Sequence, residues 1–298
     1  MKHDLITTAD RRGDSSALGA SAELGLAEFR EIAVIMQREA RIHLVESKLT
    51  LVHSRLSRRL REHGVSNFRD YVALVNRDEA ERRAMVTALT TNHTHFFREA
   101  HHFDHLRSAV LPDLQARARA GRPVRIWSAG CSSGEEVYTI AMTIAGESHA
   151  SAAWLRNGDV RLLATDIAPH VVASVAEGVY AESTVEPIPP AYRAHWVKPH
   201  EKGFIIADEL RALVTPRVLN LFDHWPMKLQ YDVIFCRNVM IYFDDAAKAE
   251  LETKLIDMLA PGGHLYIGHS ERLSARGIAK MFSAGQTIYG KIEGSAGQ

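Results

Sequence analysis

The sequence predicts an α/β protein: a mostly parallel, doubly wound sheet with a small inserted β-subdomain, preceded by a small all-α domain. Three observations predict it. From Ala22 to Thr90 apolar residues recur at helical spacing, with no strand signal. From Arg122 onward short apolar runs alternate with helical patterns, as in βα units joined by crossovers. Between Gly178 and Pro216 that alternation is interrupted, with Pro187, Pro189, Pro190 and Pro199 in the interruption.

The elements follow in order. Residues 1–20 are polar, lack a hydrophobic signal core and read as a disordered tail. Leu26, Phe29, Ile32, Ala33 and Met36 mark a first helix. Val45, Leu49, Val52, Leu56 and Leu60 form the apolar stripe of a second, which Gly64 ends as a C-cap glycine. Phe68, Tyr71, Val72 and Val75 mark a third, and Met85, Val86 and Leu89 a fourth. Residues 21–90 are thus expected to pack as short antiparallel helices. Residues 91–298 form the second domain, with 178–216 as its insert.

In that domain the run from Val124 to Trp127 reads as a strand, followed by a Gly/Ser loop and a helix from Glu135 to Ala145. Val160 to Ala164 is a second strand, and Val171 to Glu177 a helix. Tyr231 to Phe235 is another strand, and Ala246 to Leu259 a helix. Pro261-Gly-Gly263 reads as a turn, His264 to Gly268 as a further strand, and Thr287 to Ile292 as the strand that closes the sheet. Within the insert, Gly203 to Ile206 and a stretch around Leu213 to Thr215 read as strands.

Composition excludes more than it assigns. Of 298 residues, 46% are hydrophobic and 24% charged, as in ordinary soluble globular chains. Lys plus Arg equals Asp plus Glu at 36 each, so bulk charge points to neither nucleic acid nor a membrane. The two cysteines, Cys131 and Cys236, are too few for a disulfide framework and fit reduced thiols in a cytoplasmic protein. No apolar run approaches the roughly 18 residues of a membrane span.

Four segments carry chemistry. Ser128-Ala-Gly-Cys-Ser-Ser-Gly134 lies between strand and helix, where small residues let a ligand approach the backbone. It is not G-x-G-x-x-G and no Walker lysine follows, which disfavours pyrophosphate. Glu135 and Glu136 complement the helix dipole; they would also suit a ligand with a positive centre. Asp166 ends the second strand, where a carboxylate binds ribose hydroxyls or caps the next helix. Cys236-Arg-Asn238 ends the strand from Tyr231, and an Arg there needs a polar partner. These features fit S-adenosylmethionine better than a dinucleotide.

Thr90 to Glu99 joins the domains, as a linker with aromatic anchors or as a lip over the cofactor. His101, His102 and His105 lack a third ligand at recognised metal spacing and read as a helix face; no metal is expected. Lys48, Arg55, Arg58, Arg59 and Arg61 against Glu46 and Glu62 make the second helix basic. That is a solvated face or a surface for an acidic partner; no aromatic platform for nucleic acid is interleaved.

Taken together, Thr90-Thr-Asn-His-Thr-His-Phe-Phe-Arg-Glu99, Trp127 to Glu136, Ala164-Thr-Asp-Ile167, Phe235 to Phe243 and Gly268-His-Ser-Glu271 resemble the chemotaxis receptor methyltransferases, the CheR family. The resemblance covers nearly the whole chain after the tail. It implies a Rossmann-like methyltransferase sheet and methyl transfer from S-adenosylmethionine to glutamate side chains of chemoreceptors, leaving S-adenosylhomocysteine. By motif match, cofactor contacts fall on Asn92, Thr94, Arg98, Glu136, Asp166, Asn220, Leu221, Arg237 and Asn238. Tyr242 matches the tyrosine near the transferred methyl group, and Arg98 and Tyr242 are the expected catalytic pair. The helix bearing Arg55, Arg58 and Arg59 matches the element used against the acidic receptor helices. The segment Trp196 to Phe204 is short beside members that grip a receptor C-terminal pentapeptide, so pentapeptide independence is expected. The rival readings are a nucleic-acid or small-molecule methyltransferase, against which stands the lack of an Asn-Pro-Pro-Tyr-like motif after Cys236, and a non-catalytic, cofactor-sensing adaptor.

Overall fold

The computed structural model describes residues 22–90 and 92–292; the expected tail lies outside them. The first unit is four helices, α1 (Leu26–Ala40), α2 (Leu49–Glu62), α3 (Phe68–Arg77) and α4 (Glu79–Leu89). Asn67 and Asp78 cap α3 and α4 by accepting backbone N–H groups, as their short polar side chains favour. The stripe of α2 buries Val52, Leu56 and Leu60 against Phe29, Met36, Phe68 and Tyr71. Gly64 follows α2 at φ +64°, the left-handed cap expected of it. Two expectations shift: Leu26 starts α1 half-exposed, and Val45 precedes α2 in an exposed 3-10 turn region.

Helix α5 (His101–His105) continues through a π-helical turn (Leu106–Val110) into α6 (Leu111–Arg119). The second unit then runs β1 (Val124–Ala129), α7 (Glu135–Ala145), α8 (Ala153–Asn157), β2 (Val160–Asp166) and α9 (Pro169–Glu177). Next come β3 (Val179–Tyr180), α10 (Glu182–Val185), α11 (Pro190–Trp196), β4 (Val197–His200), β5 (Gly203–Ile206) and α12 (Asp208–Arg211). The chain closes with β6 (Val214–Val218), β7 (Tyr231–Cys236), α13 (Asp245–Met258), β8 (Leu259–Ile267), α14 (Ala275–Ile278), β9 (Met281–Gly285) and β10 (Ile288–Lys291).

The large sheet has the order β6-β2-β1-β7-β8-β10-β9, parallel from β6 through β8 and antiparallel at the β10–β9 end. The chain leaves β1 toward β2 and β6 on one side and returns to β7 and β8 on the other. The winding direction therefore reverses between β1 and β7, where open α/β sheets bind ligands. A three-stranded sheet, β3-β5-β4, forms the insert.

Three sequence expectations are corrected. The strand around Leu213 to Thr215 is β6, which pairs with β2 and belongs to the large sheet rather than the insert. Pro261-Gly-Gly263 is no turn: β8 runs through it, with Gly262 at φ +72° and a register shift opposite Tyr231 and Val233. Gly263 passes so close to β7 that an added Cβ would stand 3.1 Å from the carbonyl oxygens of Tyr231 and Asp232. The sheet is closed by β9, which the sequence reading left unassigned; β10 lies inside it.

Candidate active site

The carboxyl ends of β1, β2 and β7 converge on one cavity of about 590 Å³, within the range of small-molecule sites. Asn92, Thr94, Arg98, Glu136, Asp166, Asn220, Leu221, Arg237, Asn238 and Tyr242 all line it. The first helical unit supplies the opposite wall, including Ala40, Ile42, Leu51 and Leu89. The two units are stitched there: Gln37 Nε2 donates to Asp244 Oδ2 at 2.7 Å, Asn220 Nδ2 to the Glu39 carbonyl at 2.8 Å, and His43 N–H to the Tyr242 carbonyl at 2.9 Å.

The glycine loop is positioned by β2. Gly130 and Cys131 both donate to the Thr165 carbonyl at 2.8 Å. Gly130 has φ +81°, and an added Cβ would meet Val239 at 2.5 Å, so only glycine fits. Asp166 accepts from Ser132 N–H and from Ala168 N–H, each at 3.0 Å. It thus pins the loop and begins the turn into α9 while facing the cavity. Burial pushes its carboxyl up, and the two backbone donors pull it back.

The two glutamates opening α7 part company. Glu136 faces the cavity, accepts from Ser128 Oγ at 2.7 Å and lies 3.4 Å from Arg237. Burial raises its pKa, opposed by Arg237. Glu135 turns away into the protein and accepts from Ser133 Oγ.

The joining segment is anchored by its aromatics. Phe96 is buried edge-on against Tyr180, and Phe97 packs on Phe103 and Tyr192. That leaves Asn92, Thr94 and Arg98 on the cavity wall. Arg98 spends one N–H on the His93 carbonyl at 2.9 Å. The neighbouring histidines are occupied: buried His102 meets Thr287 Oγ1 at 2.9 Å, and His105 meets the Tyr266 hydroxyl at 2.8 Å.

Arg237 is buried at the cavity floor, over the Phe103 ring and beside the Arg98 carbonyl, Glu99 and Glu136. Asn238 is left-handed at φ +58°, a conformation Asn tolerates. Glu271 holds that bend by accepting from Gly268, Asn238 and Ile241 N–H groups. In the sequence Glu271 stands in the Gly268-His-Ser-Glu271 motif, but nothing local marks this role.

The basic helix divides. Arg58 stands exposed, paired with Glu62 at the surface. Arg55 donates to the carbonyls of Leu89 and Thr90, tying α2 to the end of α4. Arg59 faces inward to buried Glu81, which also accepts from the Tyr71 hydroxyl at 2.6 Å.

The comparisons fit this architecture. The family description "CheR methyltransferase, SAM binding domain" matches residues 92–288, and "CheR methyltransferase, all-alpha domain" matches residues 27–90. The chain belongs to the CheR methyltransferase family. It is 45% identical to a "Probable chemotaxis protein methyltransferase" of Rhizobium etli, covering 84% of this chain and 94% of that one. A "Chemotaxis protein methyltransferase" of Klebsiella aerogenes is 38% identical over 97% of this chain and 98% of its own. That of Escherichia coli is 37% identical over 88% and 90%.

This methyltransferase uses S-adenosylmethionine, and the donor set of the cavity suits it. Gly130 permits close backbone approach. Asp166 and Glu136 offer acceptors for hydroxyl and ammonium groups. Arg237 lines the same cavity, and its Nε is buried without a partner among the described residues.

Proposed function

We propose that this methyltransferase forms γ-methyl esters on glutamate side chains in the cytoplasmic helices of methyl-accepting chemoreceptors. We place the reaction in the cytoplasm and independent of a receptor C-terminal pentapeptide. Methylation in chemotaxis is the activity for which its relatives are named. The observation that carries the finer reading is Arg98. Its guanidinium lines the cavity with one N–H engaged, and guanidinium forks favour carboxylates.

A glutamate with an ordinary pKa of about 4.3 is already ionised at neutral pH, so its carboxylate needs no base. The bound cofactor supplies an electrophilic methyl group. The protein's part is to steer, orient and exclude water. Arg98 receives the carboxylate, Tyr242 orients the reacting groups, and Asn92, Thr94, Asp166, Asn220, Leu221, Arg237 and Asn238 hold the cofactor with Glu136.

The docking face is α2. Arg58 and the exposed Lys48 and Arg61 meet the acidic receptor, while Arg55 and Arg59 brace the helix that presents them. Pentapeptide independence is supported by the hairpin β4–β5, which turns through Glu201 and Lys202 alone. Gly203 (φ +125°) packs against the Tyr180 carbonyl, where a Cβ would stand at 2.4 Å. No helix among the described residues is long and apolar enough to cross a membrane.

The test is mass spectrometry of a receptor cytoplasmic fragment, with and without its C-terminal pentapeptide, after incubation with enzyme and cofactor. Equal methylation on glutamates supports the reading. Methylation confined to the intact tail refutes pentapeptide independence, and methylation of other residue types refutes the ester.

A further inference from the structure

Two guanidiniums line a cavity that must hold a ligand whose sulfonium and ammonium groups outnumber its one carboxylate. Arg98 and Arg237 are the positive charges; Glu136 and Asp166 are the negative ones. Lys48 lines it as well, so three cations stand against two carboxylates and the lining offers no net attraction for a cation. A further carboxylate stands just behind this wall. Glu99 Oε2 lies 3.3 Å from Arg237, and Glu99 Oε1 accepts from His269 at 3.0 Å and from Asn238 Nδ2 at 3.4 Å.

We propose that Glu99 is a positioning residue that compensates the charge of Arg237 from behind the cavity, so that the cofactor's sulfonium can be accommodated in front of it. Glu99 adds a third carboxylate and brings the balance to three against three. It also joins the strand-end residues Arg237 and Asn238 to His269 on the loop after β8.

Two further observations point the same way. Burial disfavours ionisation of Glu99, yet Arg237 and His269 outweigh it and hold its pKa at about 2. Burial instead leaves Glu136 raised, so Glu99 is the firmer counter-ion. His102, 3.5 Å from Glu99, is held neutral by burial and by Arg237, with a pKa of about 3, and cannot replace the cation. The backbone is also held in place at some cost. Glu99 sits at φ +59°, with Ser132 and Asn238 left-handed at the cavity wall. Such conformations cost of order 1–2 kcal/mol each and persist where the surroundings enforce them.

The experiment is calorimetric titration of the whole chain with S-adenosylmethionine and, separately, with S-adenosylhomocysteine. The two differ by one methyl group and the sulfonium charge that it creates. In Glu99→Gln the uncompensated Arg237 is expected to weaken S-adenosylmethionine by about tenfold more than S-adenosylhomocysteine. Adding Arg237→Met to Glu99→Gln should return that ratio to the wild-type value even as both affinities fall. If Glu99→Gln does not fold, Glu99→Asp and Glu99→Asn make the same comparison: Asp should keep the wild-type ratio and Asn should lose it. Equal weakening of both ligands, in either pair of variants, overturns the proposal and leaves Glu99 a structural residue.

Discussion

Tyr242 stands on the cavity wall, and its backbone carbonyl is held by His43 N–H from the helical unit. Its phenol is therefore placed by backbone contacts that a Tyr242→Phe change leaves intact. The expected outcome is a fall in turnover of about ten- to a hundredfold, with cofactor affinity changed less than threefold, read from steady-state rates beside calorimetry. Glu99 gives a pH prediction. Its folded pKa of about 2 lies below the ordinary 4.5, so its contribution to stability is present above the ordinary value and lost as pH falls toward the folded one. The gap in thermal midpoint between wild type and Glu99→Gln should be full near neutrality, shrink below about pH 4.5 and close near pH 2. At this scale the sequence was legible where chemistry is local. Gly130, Asp166, Arg237 and Asn238 each sit at a strand end with a recognisable neighbour pattern. Glu99 was not legible, because its partners arrive through the fold; His269 is 170 residues away. Helix chemistry alone did not tell Glu135 from Glu136, since adjacent helical residues point about 100° apart and packing decides which one faces the ligand; only the motif match singled out Glu136.

The elements show the same division. The stripe of α2 was readable from its spacing, but its basic residues were not equivalent. Arg59→Ala would strand the buried Glu81 carboxylate with Tyr71 and His63 and should cost about 2 kcal/mol, tempered by the partial exposure of Arg59. Arg58→Ala removes a surface pair and should cost less than about 0.5 kcal/mol. Urea denaturation of the two variants checks the difference, and equal losses would mean that the buried network carries nothing special. Receptor methylation should respond in the reverse sense once stability is accounted for, since Arg58 is the residue that reaches solvent. The passage of β8 through Pro261-Gly-Gly263 was illegible for a plain reason. Local turn chemistry and a close approach to a neighbouring strand both call for glycine, and only β7 decides between them.

For the whole molecule, the decisive feature is that one cavity is walled by both units. Ala40, Ile42, Leu51 and Leu89 face the strand ends, and the Gln37–Asp244 and Asn220–Glu39 contacts fasten them. Cofactor product should therefore stabilise the helical unit and the sheet together. At a hundredfold excess over its dissociation constant, S-adenosylhomocysteine should add about 2.7 kcal/mol and raise a single thermal transition. Two transitions, with only one shifted, would show that the units do not share the site. The parallel, doubly wound character of the large sheet was readable from alternating strands and helices, whereas the seam between units was not, because its contacts join residues some 200 positions apart. Esterification of receptor glutamates is the chemistry proposed for this cavity. Incubation of the whole chain with a receptor cytoplasmic fragment and methyl-labelled S-adenosylmethionine, followed by mild base, tests it most directly. Label on the receptor that base releases as methanol and that Arg98→Ala abolishes is the expected result; label that survives base, or none transferred by the wild type, would rule out the ester.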